Sequence, residues 1–168
     1  MAVVGAAVLV AAFLIFGGEE QVLALVNDDA YYYFQIVRNT LHGHGISFDG
    51  RDPTNGFHPL YFVLLLPIFA LAQGDILPIR LALLLLAVAY FATSFTLYGA
   101  VRRLSGPRAA GIAALAWAFN PLFIFLARGG VEAAIYAFVA SFMAFYYVDR
   151  FRPAPTVRAA ARRTMLDP

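Results

Sequence analysis

The run Ile76–Val101 carries a single charge, Arg80. About 20 apolar residues cross about 30 Å of hydrocarbon, so this run is long enough to span a bilayer and constrains everything around it. Four more apolar stretches flank it: Ala2–Phe16, Leu60–Ala72, Ala109–Ala127 and Val131–Val148. The last two reach crossing length narrowly, and Ala2–Phe16 is short. Leu60–Ala72 extends only about 20 Å at about 1.5 Å per residue, and Pro67 interrupts it. A chain that is 62% apolar and 13% charged, with mean hydropathy +0.74, has the composition of an integral membrane protein. It has no cysteine, which excludes disulfides and thiolate metal sites. Its 12 basic residues are all arginine. They flank the apolar stretches instead of forming a basic face with interleaved aromatics, so nucleic acid is not an expected partner.

The arginines also bear on topology. Suppose the N-terminus is cytoplasmic and Leu60–Ala72 does not cross. Then Arg102, Arg103, Arg108, Arg150, Arg152, Arg158, Arg162 and Arg163 lie inside. Arg38, Arg51, Arg80 and Arg128 lie outside, with Glu19, Glu20, Asp28, Asp29, Asp49, Asp52, Asp75 and Glu132. If Leu60–Ala72 crosses, the first group moves outside, against the tendency of arginine to stay cytoplasmic. Turning a five-span chain over restores that tendency but puts Asp28 and Asp29 in the cytoplasm, and charge alone leaves this alternative open. The favoured expectation is an all-α membrane protein of about four transmembrane helices. Residues 1–150 form the membrane module, and an external loop over 17–75 carries two membrane-surface helices at about 29–41 and 59–73. An Arg/Pro-rich, loosely ordered cytoplasmic tail covers 151–168.

Within the external loop, Asn27-Asp28-Asp29-Ala30-Tyr31-Tyr32-Tyr33-Phe34 sets two adjacent carboxylates at the start of an aromatic-rich helix. Either Asn27 or Asp28 can cap that helix, and acids suit its positive end. Alternatively, one Asp is a general base and the other a metal ligand or orienter, since close carboxylates disfavour double ionisation. Gly43 and Gly45 stop the helix. Asp28, Tyr32, Gln35, Asn39 and His42 recur at helical spacing as a polar stripe, opposite Tyr31, Phe34, Val37 and Leu41. The stretch 43–55 is turn-rich, and the next helix opens at His58-Pro59 with proline in a favoured first-turn position. His58 is either an interfacial ring or a phosphate-binding imidazole near a helix N-terminus. Arg80 either snorkels to the interface or grips a lipid phosphate. Arg128-Gly129-Gly130-Val131-Glu132 is either a tight turn with a local ion pair or the source of a third acid on the outer face. Asn120-Pro121 predicts a kink in the third span.

Four segments together resemble the N-terminal part of GT-C superfamily membrane glycosyltransferases, a group that includes protein O-mannosyltransferases and aminoarabinose transferases. They are NDDAYYYFQIVRNTLHGHG, DPTNGFHPLY, LPIRLALLL and RGGVEAAIY, and the resemblance covers residues 1 to about 150. It implies a sugar transferred from a polyprenyl-phosphate-linked donor to an acceptor on the external, periplasmic face of the cytoplasmic membrane. It implies Asp28 as base with Asp29 as partner, and Glu132 as the acid of the second external loop. His58, Arg80 and Arg128 would face the donor phosphate, and Tyr32 and Asn55 would line the acceptor or sugar. The resemblance fixes no cofactor and leaves open a divalent cation, Mg2+ or Mn2+, at Asp28 and Asp29. Family members carry seven or more spans and a C-terminal domain, so the resemblance also implies a fragment, or one part of a split enzyme with a missing C-terminal half or partner subunit. The competing reading is a non-catalytic membrane subunit, or a partner that binds the lipid carrier. A transporter is disfavoured because nearly every charge lies outside the apolar stretches.

Overall fold

The computed structural model describes residues 1–151; the tail expected over 151–168 falls, from 152 onward, outside the described residues. The described chain is helical, with no strand beyond one isolated bridge between Ser47 and Pro53. The helices are α1 (Ala2–Phe16), α2 (Glu19–Leu23), α3 (Asp28–Leu41), α4 (Pro59–Leu71), α5 (Ile76–Ser105), α6 (Pro107–Ala118), α7 (Pro121–Arg128) and α8 (Ala133–Phe151). Among them, α5 alone is long and apolar enough by itself to cross a membrane, while α1 and α4 are shorter apolar helices. The short α2 was not anticipated, and α5 runs past Val101 to Ser105.

Helix α5 is the post on which α1, α6 and α8 pack. Thr96 Oγ1 meets Ser141 Oγ at 2.6 Å, Gly99 lies against the Phe145 ring, and Arg103 pairs with Asp149. The separations 141−96, 145−99 and 149−103 are 45, 46 and 46, so α5 and α8 run parallel in steady register. Parallel neighbours need a return path, which α6 and α7 supply. A Cβ on Gly99 would stand 2.7 Å from Phe145. Close approach over a small residue increases the van der Waals contact between two helices.

The expected kink in Ala109–Ala127 is a full break. Pro121 has no N–H to offer the Trp117 carbonyl four residues back. That carbonyl accepts instead from the Asn120 N–H at 3.2 Å and from the Tyr90 hydroxyl at 2.7 Å, and Trp117 Nε1 donates to the Tyr90 carbonyl at 3.0 Å. Asn120 then starts a new helix, its side-chain oxygen accepting from the N–H groups of Leu122 and Phe123.

Helices α3 and α4 also lie side by side and parallel: Tyr33 meets Tyr61 at 5.2 Å between ring centroids, and further along Phe34 meets Phe69 at 5.3 Å. The return segment between them is a built lobe. Asn39 Nδ2 donates to the Ser47 and Phe48 carbonyls, and Asp49 Oδ1 accepts from Ser47 Oγ and from the Arg51 and Asp52 N–H groups. The inward face of α3 is Ala30, Tyr33, Phe34, Ile36 and Val37. Tyr31 and Leu41, which spacing grouped with Phe34 and Val37, are exposed.

Candidate active site

The Gly129-Gly130 turn is fitted onto the start of α3. The Asn27 N–H donates to the Gly129 carbonyl at 2.9 Å. A side chain on Gly129 would collide with the Asn27 amide, and a Cβ on Gly130 would stand 2.7 Å from that of Ala30. Gly130 also takes φ +81, a backbone region that glycine enters without the usual Cβ penalty. Two glycines therefore let the segment between α7 and α8 seat against the helix that begins with Asp28 and Asp29. Both aspartates are exposed, and among the described residues neither side chain is engaged in a hydrogen bond or ion pair. They stand free at the positive end of α3. Asn27 is the N-cap residue by position but makes no side-chain cap bond.

The same turn carries Glu132, and the structure brings it to His58. His58 Nε2 lies 3.2 Å from Glu132 Oε1, with the carboxylate side chain 18% exposed and the imidazole 53%. The other oxygen, Oε2, is buried with no hydrogen-bond partner among the described residues. Three tyrosines close around the pair. Tyr136 sets its ring edge-on to His58 at 5.3 Å. Tyr33 accepts a hydrogen bond from the His58 N–H at 3.1 Å, and Tyr61 donates to the Gly130 carbonyl at 2.8 Å. Burial pushes the Tyr33 hydroxyl well above its ordinary pKa; the His58 N–H acts the other way, and the Glu132 carboxylate pushes it up further. Burial raises Tyr61 as well, and the charge of Glu132 adds to it. Both phenols are thus held protonated beside a largely buried carboxylate. His58 occupies the N-cap position of α4, whose first helical residue is Pro59, so the positive end of a second helix faces this cluster.

The remaining candidates make no hydrogen bond or ion pair with His58 or Glu132 among the described residues. Tyr32 stacks on Phe48 at 4.8 Å and shares a 2.6 Å hydrogen bond with Thr54, which ties it to the lobe. Asn55 is exposed beside it. Arg80 is committed elsewhere, donating to the carbonyls of Leu14 at 2.7 Å, Ile15 at 3.3 Å and Gly17 at 2.7 Å. It closes the C-terminal end of α1, where a cation is favoured, and makes no bond to His58 or Glu132. Arg128 is exposed, lies over the Phe125 ring at 4.9 Å and stands on the lip of a groove of about 420 Å³. That groove runs between α1, α5, α6 and α7, lined by residues such as Leu9, Phe13, Leu83, Phe91 and Ile124. Among the described residues no three His, Cys, Asp or Glu side chains gather closely enough to hold a metal ion.

Sequence reasoning missed Tyr33, Tyr61 and Tyr136, and missed the direct pairing of His58 with Glu132. The run Tyr31-Tyr32-Tyr33 was visible, but three consecutive residues of a helix face three directions about 100° apart, and only packing selects which one turns inward. No family model matches the chain, and neither a curated protein nor a solved structure matches it.

Proposed function

We propose that this chain is a GT-C-type membrane glycosyltransferase, or part of one, moving a sugar from a polyprenyl-phosphate-linked donor to an acceptor at the external face of the cytoplasmic membrane. One observation carries the reading: three separated segments, the Asp28-Asp29 helix start, the His58-Pro59 helix start and the Gly129–Glu132 turn, meet at one place. The apolar groove with Arg128 on its lip supports it, since an isoprenoid chain needs an apolar channel and its phosphate a cation. In this arrangement α1, α5, α6–α7 and α8 cross the bilayer. Helix α4 does not, on the charge argument: if it crossed, Arg102, Arg103, Arg108 and Arg150 would leave the cytoplasmic side. Length does not decide it, since α1, at 15 residues, is nearly as short as the 13 of α4. At about 45 Å, the 30 residues of α5 cross with length to spare.

The chemistry is a single displacement. An acceptor hydroxyl loses its proton to the Asp28 carboxylate as its oxygen bonds to the anomeric carbon. The bond from that carbon to the phosphate oxygen breaks, and the electron pair leaves with the lipid phosphate. Arg128 and His58 stabilise the charge that develops there. Arg80 contributes by holding the end of α1, one wall of the groove. A Mg2+ or Mn2+ ion, if the enzyme uses one, would be held by Asp28 and Asp29 and would neutralise phosphate charge. A missing C-terminal half or partner subunit would complete the enzyme.

The test is turnover of a radiolabelled polyprenyl-phosphate sugar by membranes containing the chain. Asp28→Asn is expected to lower transfer by about 10²-fold or more with insertion unchanged. Full activity in that variant removes the base assignment. Normal insertion in the source cell's own membranes, where any partner subunit is present, without chain-dependent turnover favours the non-catalytic subunit.

A further inference from the structure

A second cavity, of about 630 Å³, opens along α3. It is bounded by Glu19 of α2, Tyr31 and Arg38 of α3, Phe48 and Asp49 of the lobe, and Asp75 at the head of α5. That volume is within the range of small-molecule sites. Its floor is apolar, made by Phe34 and Ile79, both buried. Two aromatic rings on its walls stay open to solvent, Tyr31 at 42% and Phe48 at 47%.

The polar groups of the cavity define what it can take. Three carboxylates face one guanidinium, and Arg38 is itself held by Asp75, 3.6 Å away. The surplus negative charge repels a phosphate, so this is not the donor's site. The carboxylates come from three separate segments, and the described residues hold no grouping fit for a metal. A cationic amine would meet Arg38 as a like charge. What remains is a ligand whose groups both donate and accept. Asp49 uses Oδ1 on Ser47, Arg51 and Asp52 and keeps Oδ2 for a donor. The Gln35 amide donates to Asn39, leaving its own carbonyl free, while Arg38 and the Tyr31 hydroxyl can donate. Hydroxyls satisfy both kinds of partner at once, and the C–H faces of a pyranose lie flat against rings such as Tyr31 and Phe48.

Tyr31, Gln35 and Arg38 form one stripe of α3, and Asp28, three residues before Tyr31, heads the same stripe. We propose that this cavity is a glycan site that takes a neutral oligosaccharide and presents one of its hydroxyls toward Asp28. The glycan is thus the acceptor, an assignment that rests on the transfer reading above.

The binding itself is tested without turnover. The full chain is held in lauryl dimethylamine oxide, whose head group is not a sugar, and saturation-transfer NMR is recorded with neutral trisaccharides of glucose, galactose and mannose. Saturation of at least one is expected. Tyr31→Leu/Phe48→Leu is expected to weaken binding by about tenfold through loss of both stacking faces. Glu19→Gln/Asp75→Asn, which touches no core residue and keeps a cap-competent side chain before α5, is expected to weaken it by a similar factor with an unchanged melting temperature. No signal from any neutral glycan, an undiminished signal in both variants, or tighter binding of a phosphorylated glycan overturns the proposal. Asp28→Asn separates the two readings, because it should keep glycan binding while losing transfer. Glycan binding by a chain that transfers no sugar even in the source cell's membranes, where any partner subunit is present, leaves the site standing and defeats the transfer reading. Transfer to a protein or lipid without glycan binding defeats the site alone.

Discussion

Gly130→Ala puts a methyl group where the turn before α8 meets α3, and its cost can be worked from two features. The first is backbone: Gly130 holds φ +81, and an L-residue there costs about 1–2 kcal/mol. The second is contact: the new Cβ would lie 2.7 Å from the Ala30 Cβ, roughly 1 Å inside the usual carbon–carbon separation. Ala30 is fully buried on a helix, so relief requires backbone movement, an overpacking cost of about 1–3 kcal/mol. Together these predict destabilisation by about 2–5 kcal/mol, read as a melting temperature lower by roughly 5–15 °C for a chain of this size. The assay is thermal unfolding of detergent-solubilised protein, followed by loss of the monodisperse peak. Adding Ala30→Gly removes the contact but not the φ strain, and a helical glycine costs about 0.5–1 kcal/mol. The double variant should therefore recover only part of the loss, with a coupling of about 1–2 kcal/mol. A single variant within about 0.5 kcal/mol of the parent would refute the close seating of the turn on α3, and with it the convergence of Asp28, Asp29 and Glu132.

Arg80→Ala should destabilise by about 2–3 kcal/mol, because it strips the carbonyls at the end of α1 of a charged donor; hydrogen exchange should rise in the last turn of α1 first. Tyr61→Phe leaves the buried Gly130 carbonyl without its donor and should cost about 1–3 kcal/mol in the same melting assay. Raising the pH should unfold the chain as its tyrosines ionise. Tyr33 and Tyr61 both titrate above the ordinary 10.0 in the folded state, so their contribution is complete below pH 10 and is lost progressively above it; absorbance at the phenolate band and the melting temperature should change together. Asp49 behaves in the opposite sense. The N–H groups of Asp52 and Arg51 hold its carboxyl below the ordinary 3.8, so hydrogen exchange over 47–54 should increase only as the pH falls below about that value.

Much of this fold was legible because turn chemistry and apolar runs are local. Asn27-Asp28 and His58-Pro59 marked two helix starts to the residue or within one, since first-turn acids and prolines act on the adjacent backbone; neither start carries a side-chain cap bond. The split of Ala109–Ala127 was only half legible. The missing N–H at Pro121 announced a kink, but one of the two donors to the Trp117 carbonyl at the break is the hydroxyl of Tyr90, 27 residues earlier. The site divides in the same way. Asp28, Asp29, His58 and Glu132 stood out as rare ionisable groups next to apolar stretches. The pairing of His58 with Glu132 spans 74 residues by subtraction, 132−58, and nothing periodic encodes it. The arginines are the reverse case: Arg80 reads as a free cation beside a span, yet its donors are taken by carbonyls of α1, which only the tertiary structure supplies.

The central claim is that Asp28, Asp29, His58 and Glu132 stand on the outer face of the membrane with α4 lying along it. With no natural cysteine in the chain, Arg51→Cys, Gln73→Cys and Ser105→Cys, all at exposed positions, can each be probed in intact cells with a membrane-impermeant thiol reagent. The account predicts labelling at positions 51 and 73 and none at 105. Labelling at 105 without 73 would mean that α4 crosses the bilayer, and the proposed outer site would lose its support.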